Sequence, residues 1–114
     1  MKYLLQVYLN GAQQKLAHLP EAQRAAVVQD YVAFLRRPEV HDGNQLQPPA
    51  TATTIHIVNG DLTATTGPYT AAGEPLGGYY LIEANDIATA VAIAAHNPAI
   101  HMGAAIEIRP VVER

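Results

Sequence analysis

The residues of this chain that could support metal or acid–base chemistry are five histidines, which lie far apart: His18, His41, His56, His96 and His101. No two of them are four residues apart, the spacing at which a helix presents two zinc ligands on one face. The chain has no cysteine and no serine, so disulfides, thiolate ligands and serine or cysteine nucleophiles are excluded. The sequence therefore predicts neither a metal site nor a cofactor, and leaves acid–base chemistry open.

Tyrosines could complete such an acid–base site. We predict His101 or His56 as the proton carrier and Tyr31 as its partner, because proton transfer needs these groups together in a concave site. Tyr31 also fits a second interpretation, that of a core tyrosine whose hydroxyl reaches a hydrogen-bond partner. Tyr79 and Tyr80 are neighbours in a predicted strand, so their side chains should point to opposite faces. One is expected in the core, and the other in a cleft or an interface.

A glycine-rich segment over residues 67–78 is a candidate ligand-binding loop. It is not a phosphate-binding loop, because it lacks the Lys-Ser/Thr pair and leads into a strand rather than a helix. Loops on a rigid scaffold often carry function, and the glycines here permit tight turns. We predict that a small polar or aromatic ligand contacts residues around this loop: Gln47, Thr66, Gly67, Pro68, Tyr79 and Tyr80.

Period-two patterns indicate the strands that must position these side chains. Tyr3, Leu5 and Val7 alternate as in a half-buried strand, and Asn59-Gly60 is the strongest hairpin signal of the chain. Glu107 and Arg109 are two residues apart in the last strand and share a face, where a salt bridge is favoured over catalysis. The predicted strands cover residues 1–9, 45–47, 51–58, 62–66, 79–83 and 104–108.

Two predicted helices separate groups of strands. The first begins at Pro20, whose missing amide hydrogen costs nothing in a first turn, and it ends at Pro38. Its predicted core-facing stripe consists of Ala25, Val28, Val32 and Leu35. The second helix is capped by Asn85 or Asp86 and runs to about His96, with alanines that permit close packing on a sheet.

The order of these elements predicts the fold class. Helices that separate strand groups and share one face of an antiparallel sheet are typical of a ferredoxin-like α+β domain, here a single domain over residues 1–114. The other face of such a sheet is uncovered, and both faces carry apolar residues in this chain. Because a second copy of the sheet is the simplest cover, we expect a homodimer that forms through the sheet.

Composition excludes several classes of partner. The net charge of −3 and the isoelectric point near 5.9 provide no basic field for a nucleic-acid backbone. No apolar run reaches the ~18 residues of a membrane span, and the first residues read as a strand rather than a signal peptide. We therefore expect a cytoplasmic protein that binds neither nucleic acid directly nor a membrane.

The chain resembles the YCII-related proteins, and within them the subgroup named for an Asp-Gly-Pro-Phe tetrapeptide. The resemblance rests on five segments in order: Met1–Leu5, Leu46–Thr54, Gly67-Pro68, Leu76–Tyr80 and Ile106–Val111. It implies a ferredoxin-like protomer that pairs through its sheet into a dimeric α/β barrel. The chain departs from the tetrapeptide, since Thr66 and Tyr69 stand where Asp and Phe are expected, which removes a possible general base at this turn.

The function implied by the resemblance is less specific than the fold. We expect a small-molecule-binding or regulatory homodimer. One alternative is an acid–base enzyme similar to muconolactone isomerases, because a His–Asp pair has been suggested as catalytic in some relatives. Another alternative is an interaction module associated with an extracytoplasmic-function sigma factor, since similar proteins often occur beside such factors.

Overall fold

A computed structural model describes residues 1–70 and 76–114 and contains one four-stranded sheet and one separate hairpin. The strands are β1 (Lys2–Tyr8), β2 (Val40–Gln45), β3 (Thr53–Val58), β4 (Asp61–Thr66), β5 (Leu76–Glu83) and β6 (Ala105–Pro110). The helices are α1 (Ala12–Ala17), α2 (Glu21–Leu35) and α3 (Ile87–Ala94), with 3-10 turns at Pro49–Thr51 and Pro98–Met102. None of the helices in these two ranges is long and apolar enough to cross a membrane.

The four-stranded sheet is antiparallel, with the strand order β2-β5-β1-β6. Without the β3–β4 hairpin and the short helix α1, the order is strand, helix, two strands, helix, strand, which is the ferredoxin-like plan. The predicted fold class is therefore confirmed. The hairpin is inserted between β2 and β5, which are the second and third strands of that plan in chain order.

One face of the sheet forms the core. Leu5 lies opposite Tyr80 and Tyr3 lies opposite Ile82, so these side chains share a face, and all four are buried. Phe34 of α2 and Ile93 of α3 belong to the same buried cluster, which puts both helices on this side of the sheet. The alternation predicted in β1 is confirmed, because the apolar set of a strand occupies one face when that face is covered.

The orientation of α2 corrects one sequence prediction. The stripe expected to face the core is exposed, with Val28 50%, Val32 41% and Leu35 45% accessible, and Ala25 is exposed as well. Phe34 is buried instead, at 2%. A helix with apolar residues on more than one side can pack in more than one rotation, and the sheet selects the side that carries Phe34.

Two strand boundaries and one helix also differ from the sequence predictions. The second strand covers Val40–Gln45 rather than residues 45–47, because β5 provides backbone partners for the turn-type residues Asp42, Gly43 and Asn44. The short helix α1 was not predicted. β5 begins at Leu76, inside the segment predicted as a loop, and residues 71–75 of that segment lie outside the described residues.

The hairpin β3–β4 confirms the Asn-Gly signal. Asn59 and Gly60 both have positive φ, 53° and 85°, as a two-residue turn of this type requires. We call Thr53–Thr66 the arm, and the remaining described residues the body. Every residue of the arm is exposed except Thr54, which is half-buried.

Candidate functional site

A cavity of about 270 Å³ lies between the helix-covered face of the sheet and the helices α1 and α2. Its walls are mostly apolar and include Val7 and Leu9, Leu16 of α1, Val28 and Val32 of α2, and Met102. The half-exposed stripe of α2 thus lies at the cavity instead of the core. None of the described lining residues carries a formal charge at neutral pH.

Tyr80 is the central polar residue of this cavity. It extends from β5 to the helix-covered face, and its ring packs edge-on against Phe34, with ring centroids 5.0 Å apart and an interplanar angle of 81°. Gly43 lies opposite it on β2, where a Cβ atom would overlap the Tyr80 ring. Glycine at this position therefore permits the ring to lie flat against the neighbouring strand.

Asn97 is fully buried and lines the same cavity. Its Oδ1 accepts a hydrogen bond of 3.0 Å from the backbone amide of Ala99, which fixes the start of the 3-10 turn. Its Nδ2 has no partner of normal hydrogen-bond geometry among the described groups. The amide still lies near enough to the Tyr80 hydroxyl to counteract in part the effect of burial on the pKa of that phenol. The Asn97 amide therefore acts on the Tyr80 hydroxyl from within the protein.

The two cavity tyrosines are kept in the phenol form. Burial raises the pKa of Tyr80, and the pKa of Tyr31 is raised by burial and by its proximity to Tyr80. Since an unperturbed tyrosine already titrates near ~10, both hydroxyls are protonated at neutral pH. They can donate or accept hydrogen bonds there, but they do not act as bases.

Of the residues predicted from sequence, Tyr31 and Tyr80 line the cavity together. Tyr79 lies on the opposite face of β5, as its position beside Tyr80 predicts, and its hydroxyl accepts a hydrogen bond of 3.0 Å from Nδ2 of Asn44. The predicted separation of the two adjacent tyrosines is therefore confirmed.

The two histidines predicted as proton carriers are not among the described lining residues of the cavity. His101 is exposed on the 3-10 turn Pro98–Met102, next to Met102 in sequence, which does line the cavity. His56 lies on the arm, where its ring packs edge-on against Tyr69 with centroids 4.8 Å apart. The structure therefore does not bring either histidine to the cavity wall beside Tyr31.

The other predicted ligand contacts lie near the base of the arm. Gly67 donates its backbone amide to the Ala52 carbonyl at 2.8 Å, and its own carbonyl accepts the Thr54 hydroxyl at 2.8 Å. Thr66 ends β4 directly before it, and Pro68 follows as an exposed residue. Gln47 is exposed in the segment between β2 and the arm. These residues anchor or flank the arm, and the cavity is lined by others.

Asn97 and Gly43 are two of the cavity residues that were not predicted from the sequence. Asn97 precedes Pro98, and an Asn-Pro pair at the end of a helix reads as an ordinary terminator. Gly43 lies between Asp42 and Asn44, a combination typical of turns. Neither pattern contains a signal for a cavity, because each residue gains its role only from the element packed against it.

The described residues also contain no group of three or more His, Cys, Asp or Glu side chains placed to hold a metal ion. The predicted pair of Glu107 and Arg109 is present on β6, with a hydrogen-bonded contact of 3.1 Å between exposed side chains. An exposed pair of this kind contributes little to stability, about 0–1 kcal/mol.

The model of the YCII-related domain family matches residues 1–114. The chain belongs to the YCII-related domain family. The match concerns this family as a whole, and membership of the subgroup named for Asp-Gly-Pro-Phe stays a prediction. No curated protein in the comparison matches this YCII-related chain.

Among solved structures, this YCII-related protein is similar to 5-chloro-2-hydroxyhydroquinone dehydrochlorinase (TftG) from Burkholderia phenoliruptrix AC1100, in complex with 2,5-dihydroxybenzoquinone. The TM-score is 0.48 and the sequence identity 14%, with 100% of this chain and 96% of that chain covered. That activity and that ligand are properties of the dehydrochlorinase.

Proposed function

We propose that this YCII-related protein binds a small, uncharged molecule in the cavity between α2 and the sheet. The lining of the cavity is the observation that carries this proposal. Its walls are apolar, its described lining residues carry no formal charge, and its polar side chains include Tyr31, Tyr80 and Asn97. A charged ligand would lose its hydration there without gaining a counter-charge, so a neutral ligand is favoured.

The size of the cavity limits the ligand further. A cavity of ~150 Å³ lined by apolar side chains can hold benzene. The cavity here measures about 270 Å³ and is bordered by Val28 and Val32 of α2. It therefore suits one substituted ring or an aliphatic molecule of similar volume.

The polar groups indicate what the ligand must carry. The hydroxyls of Tyr31 and Tyr80 line the cavity. A phenol can donate to a ligand carbonyl or accept from a ligand hydroxyl. We therefore propose a neutral ligand with a carbonyl or a hydroxyl group.

Binding is better supported than proton transfer. Tyr31 and Tyr80 are held as neutral phenols by their raised pKa values. His56 and His101 are not on the described cavity wall. The cavity thus provides hydrogen-bond donors for recognition, but its described wall offers no histidine or carboxylate to accept a proton.

Three probe molecules of similar shape test the proposal: acetophenone, benzoate and benzylamine. Thermal unfolding is followed with each probe in excess. A neutral ligand at 100 times its dissociation constant should stabilise the fold by about 2.7 kcal/mol, which raises the melting temperature by on the order of 10 °C. We expect acetophenone to raise it, and neither charged probe to do so. An equal shift with benzoate would contradict the proposal.

Two tyrosine-to-phenylalanine variants, each of which lacks one hydroxyl group, test whether the ligand occupies this cavity. Tyr80→Phe removes the cavity hydroxyl and keeps the ring, so the dissociation constant of acetophenone should rise roughly two- to tenfold, the usual effect of one hydrogen bond. Tyr79→Phe is the matched control, because it removes the adjacent hydroxyl on the opposite face of β5. If both variants weaken binding equally, the ligand does not occupy this cavity.

A further inference from the structure

The ring of Tyr80 is held in place on the cavity wall. Phe34 packs edge-on against it, with the ring centroids 5.0 Å apart. On β2, any side chain at Gly43 would overlap the ring, so the bare backbone of that residue lies directly beside it. Tyr80 is only 8% exposed, and a buried ring packed in this way has little freedom to move. The main freedom that remains is the rotation of the O–H bond about the C–O bond, which decides whether the hydroxyl donates or accepts in a given direction.

The buried amide of Asn97 also has a fixed orientation. Asn97 has no exposed surface, and its Oδ1 accepts a hydrogen bond of 3.0 Å from the backbone amide of Ala99. The reverse orientation would place the NH₂ group of the side chain against the N–H of Ala99, so that two donors would meet without an acceptor. Because the oxygen is turned to Ala99, the group that remains to act on the Tyr80 hydroxyl is the donor Nδ2.

The effect of Asn97 on the pKa of Tyr80 has the sign that a donor produces. Burial raises the pKa of this phenol, and the interaction with the Asn97 side chain lowers it. A phenolate oxygen only accepts hydrogen bonds, so a neutral neighbour that stabilises it must present a donor. An acceptor at the same place would raise the pKa further. The orientation of the amide and the sign of its effect therefore agree.

We propose that Asn97 is a positioning residue, which holds the Tyr80 hydroxyl as a hydrogen-bond donor to the ligand. When the phenol oxygen faces an N–H group, its own hydrogen must turn to another side, and both residues line the cavity. This inference rests on the proposed function and narrows the ligand. The molecule that fits is one that presents a carbonyl oxygen, such as a ketone, an aldehyde, an ester or an amide.

A ligand hydroxyl matches this arrangement less well. A carbonyl oxygen is satisfied by donated hydrogen bonds alone, whereas a hydroxyl that accepts from Tyr80 must place its own hydrogen on a further acceptor. A buried donor without an acceptor is costly. In a cavity with mostly apolar walls, a carbonyl ligand therefore makes fewer demands.

Two probes of equal shape, acetophenone and α-methylstyrene, isolate this hydrogen bond. The second has a CH₂ group where the first has the carbonyl oxygen. The dissociation constant of α-methylstyrene divided by that of acetophenone therefore measures the preference for the oxygen, and calorimetric titration gives both constants. We expect Tyr80→Phe to lower this preference roughly two- to tenfold, the usual effect of one hydrogen bond.

Asn97→Asp is the decisive variant, because it keeps an oxygen for the Ala99 amide and puts an acceptor in place of Nδ2. At about pH 9, where the carboxyl group is ionised, the Tyr80 hydroxyl should turn and donate to it instead of the ligand. The preference should then fall roughly two- to tenfold although the hydroxyl is still present. Asn85→Asp is the matched control, because it makes the same change of charge at an exposed residue outside the cavity wall.

Two further variants separate a positioning role from a structural one. Tyr80→Phe/Asn97→Asp should have the same preference as Tyr80→Phe alone, because Asn97 acts through the hydroxyl that is missing there. Asn97→Ser keeps a side-chain oxygen but loses the donor, and it provides the test if the buried charge prevents folding. Its preference should fall about twofold, since the hydroxyl is then free to rotate.

The carbonyl stretching band of bound acetophenone provides a spectroscopic readout. A donated hydrogen bond weakens the C=O bond, so the band should lie at lower frequency in the unmodified chain and in Asn85→Asp than in Tyr80→Phe and Asn97→Asp. A structural role of Asn97 would weaken the binding of both probes equally and leave the band where it is.

The outcomes distinguish this inference from the proposed function. If neither probe binds to the unmodified chain, the proposed function fails, and this inference fails with it. If both probes bind but the preference for acetophenone persists in Asn97→Asp and Asn97→Ser, the cavity binds ligands and only the positioning role is overturned. A preference that also falls in Asn85→Asp would overturn it equally, because the added charge alone would then be the cause.

Discussion

The pair β1–β5 in the body and the pair β3–β4 in the arm are both antiparallel and rich in apolar residues, but they differ completely in burial. Leu5, Tyr80 and Ile82 have at most 8% of their surface exposed. In the arm, Ile57 is 73% exposed although it stands in a ladder without a register shift. The difference comes from the helices α2 and α3, which cover one face of the first pair and leave the second pair bare.

The alternation of a strand predicts which residues share a face, but not whether another element covers that face. In both pairs the sequence alternates, and in both one side of the ladder carries most of the apolar residues, whereas Leu4 and Leu81 in the body and Val58 in the arm lie on the other side. Whether that side contributes to folding or to association depends on what packs against it. Substitutions in the body should therefore lower the free energy of unfolding strongly, and equivalent substitutions in the arm should change it little.

The largest expected effect separates the two regions directly. Leu5→Ala deletes a fully buried side chain and should lower the free energy of unfolding by about 2–5 kcal/mol. Ile57→Ala, measured in dilute protein by urea unfolding, should change it by less than about 0.5 kcal/mol, since the side chain is exposed there. If both variants lowered the free energy of unfolding equally in dilute protein, the difference in burial between body and arm would not determine stability.

Replacing one glycine in each region by alanine should lower the free energy of unfolding by a smaller amount. Gly43→Ala in the body forces a Cβ atom against the Tyr80 ring and should cost about 1–3 kcal/mol. Gly60→Ala in the arm meets no atom within 4 Å, but its φ of 85° strains an alanine, at a cost of about 1 kcal/mol.

A double-mutant cycle distinguishes these two causes. In a Tyr80→Ala background the cost of Gly43→Ala should fall, because the obstructing ring is gone and the remaining close contact is with the Tyr79 carbonyl oxygen, 3.0 Å from the Cβ position. The cost of Gly60→Ala should not change in that background. If the cost of Gly43→Ala persisted without the ring, the close approach of β2 to Tyr80 would not be its cause.

The smallest effect concerns pH, and it arises in the body. A raised tyrosine pKa means that the folded state holds the proton more tightly than the unfolded state, for both Tyr31 and Tyr80. Stability should therefore not depend on these phenols below pH ~10, and it should fall as the pH rises above that value. Tyr31→Phe should reduce this fall. Ile82→Val, a buried change without a phenol, should lower stability equally at all pH values, and an unchanged slope in Tyr31→Phe would contradict the expectation.

Much of the fold follows from local signals. The alternation of Tyr3, Leu5 and Val7 predicts β1 and its buried face, and Asn59-Gly60 predicts the turn of the arm. Asp86 was one of two predicted caps, and its carboxylate accepts a hydrogen bond of 2.8 Å from the backbone amide of Thr89. These predictions were possible because each depends on residues that are close in sequence.

The candidate site was predicted only in part. Tyr31 and Tyr80 were named, but so were His56 and His101, which are not on the described cavity wall. Asn97 was missed although it is fully buried there. No sequence rule distinguishes a tyrosine that enters a cavity from one that does not, because the cavity exists only where α1 and α2 stand off the sheet.

The sequence by itself determined the ferredoxin-like order of elements, the absence of thiol and serine chemistry, and the two opposite directions of Tyr79 and Tyr80. The tertiary structure alone decided which side of α2 meets the sheet, and therefore that Val28, Val32 and Leu35 border a cavity while Phe34 enters the core. It also decided that the apolar face of the arm has no cover in the described body. The reason is physical: backbone periodicity is a local property, whereas burial depends on contacts between residues that are distant in the chain.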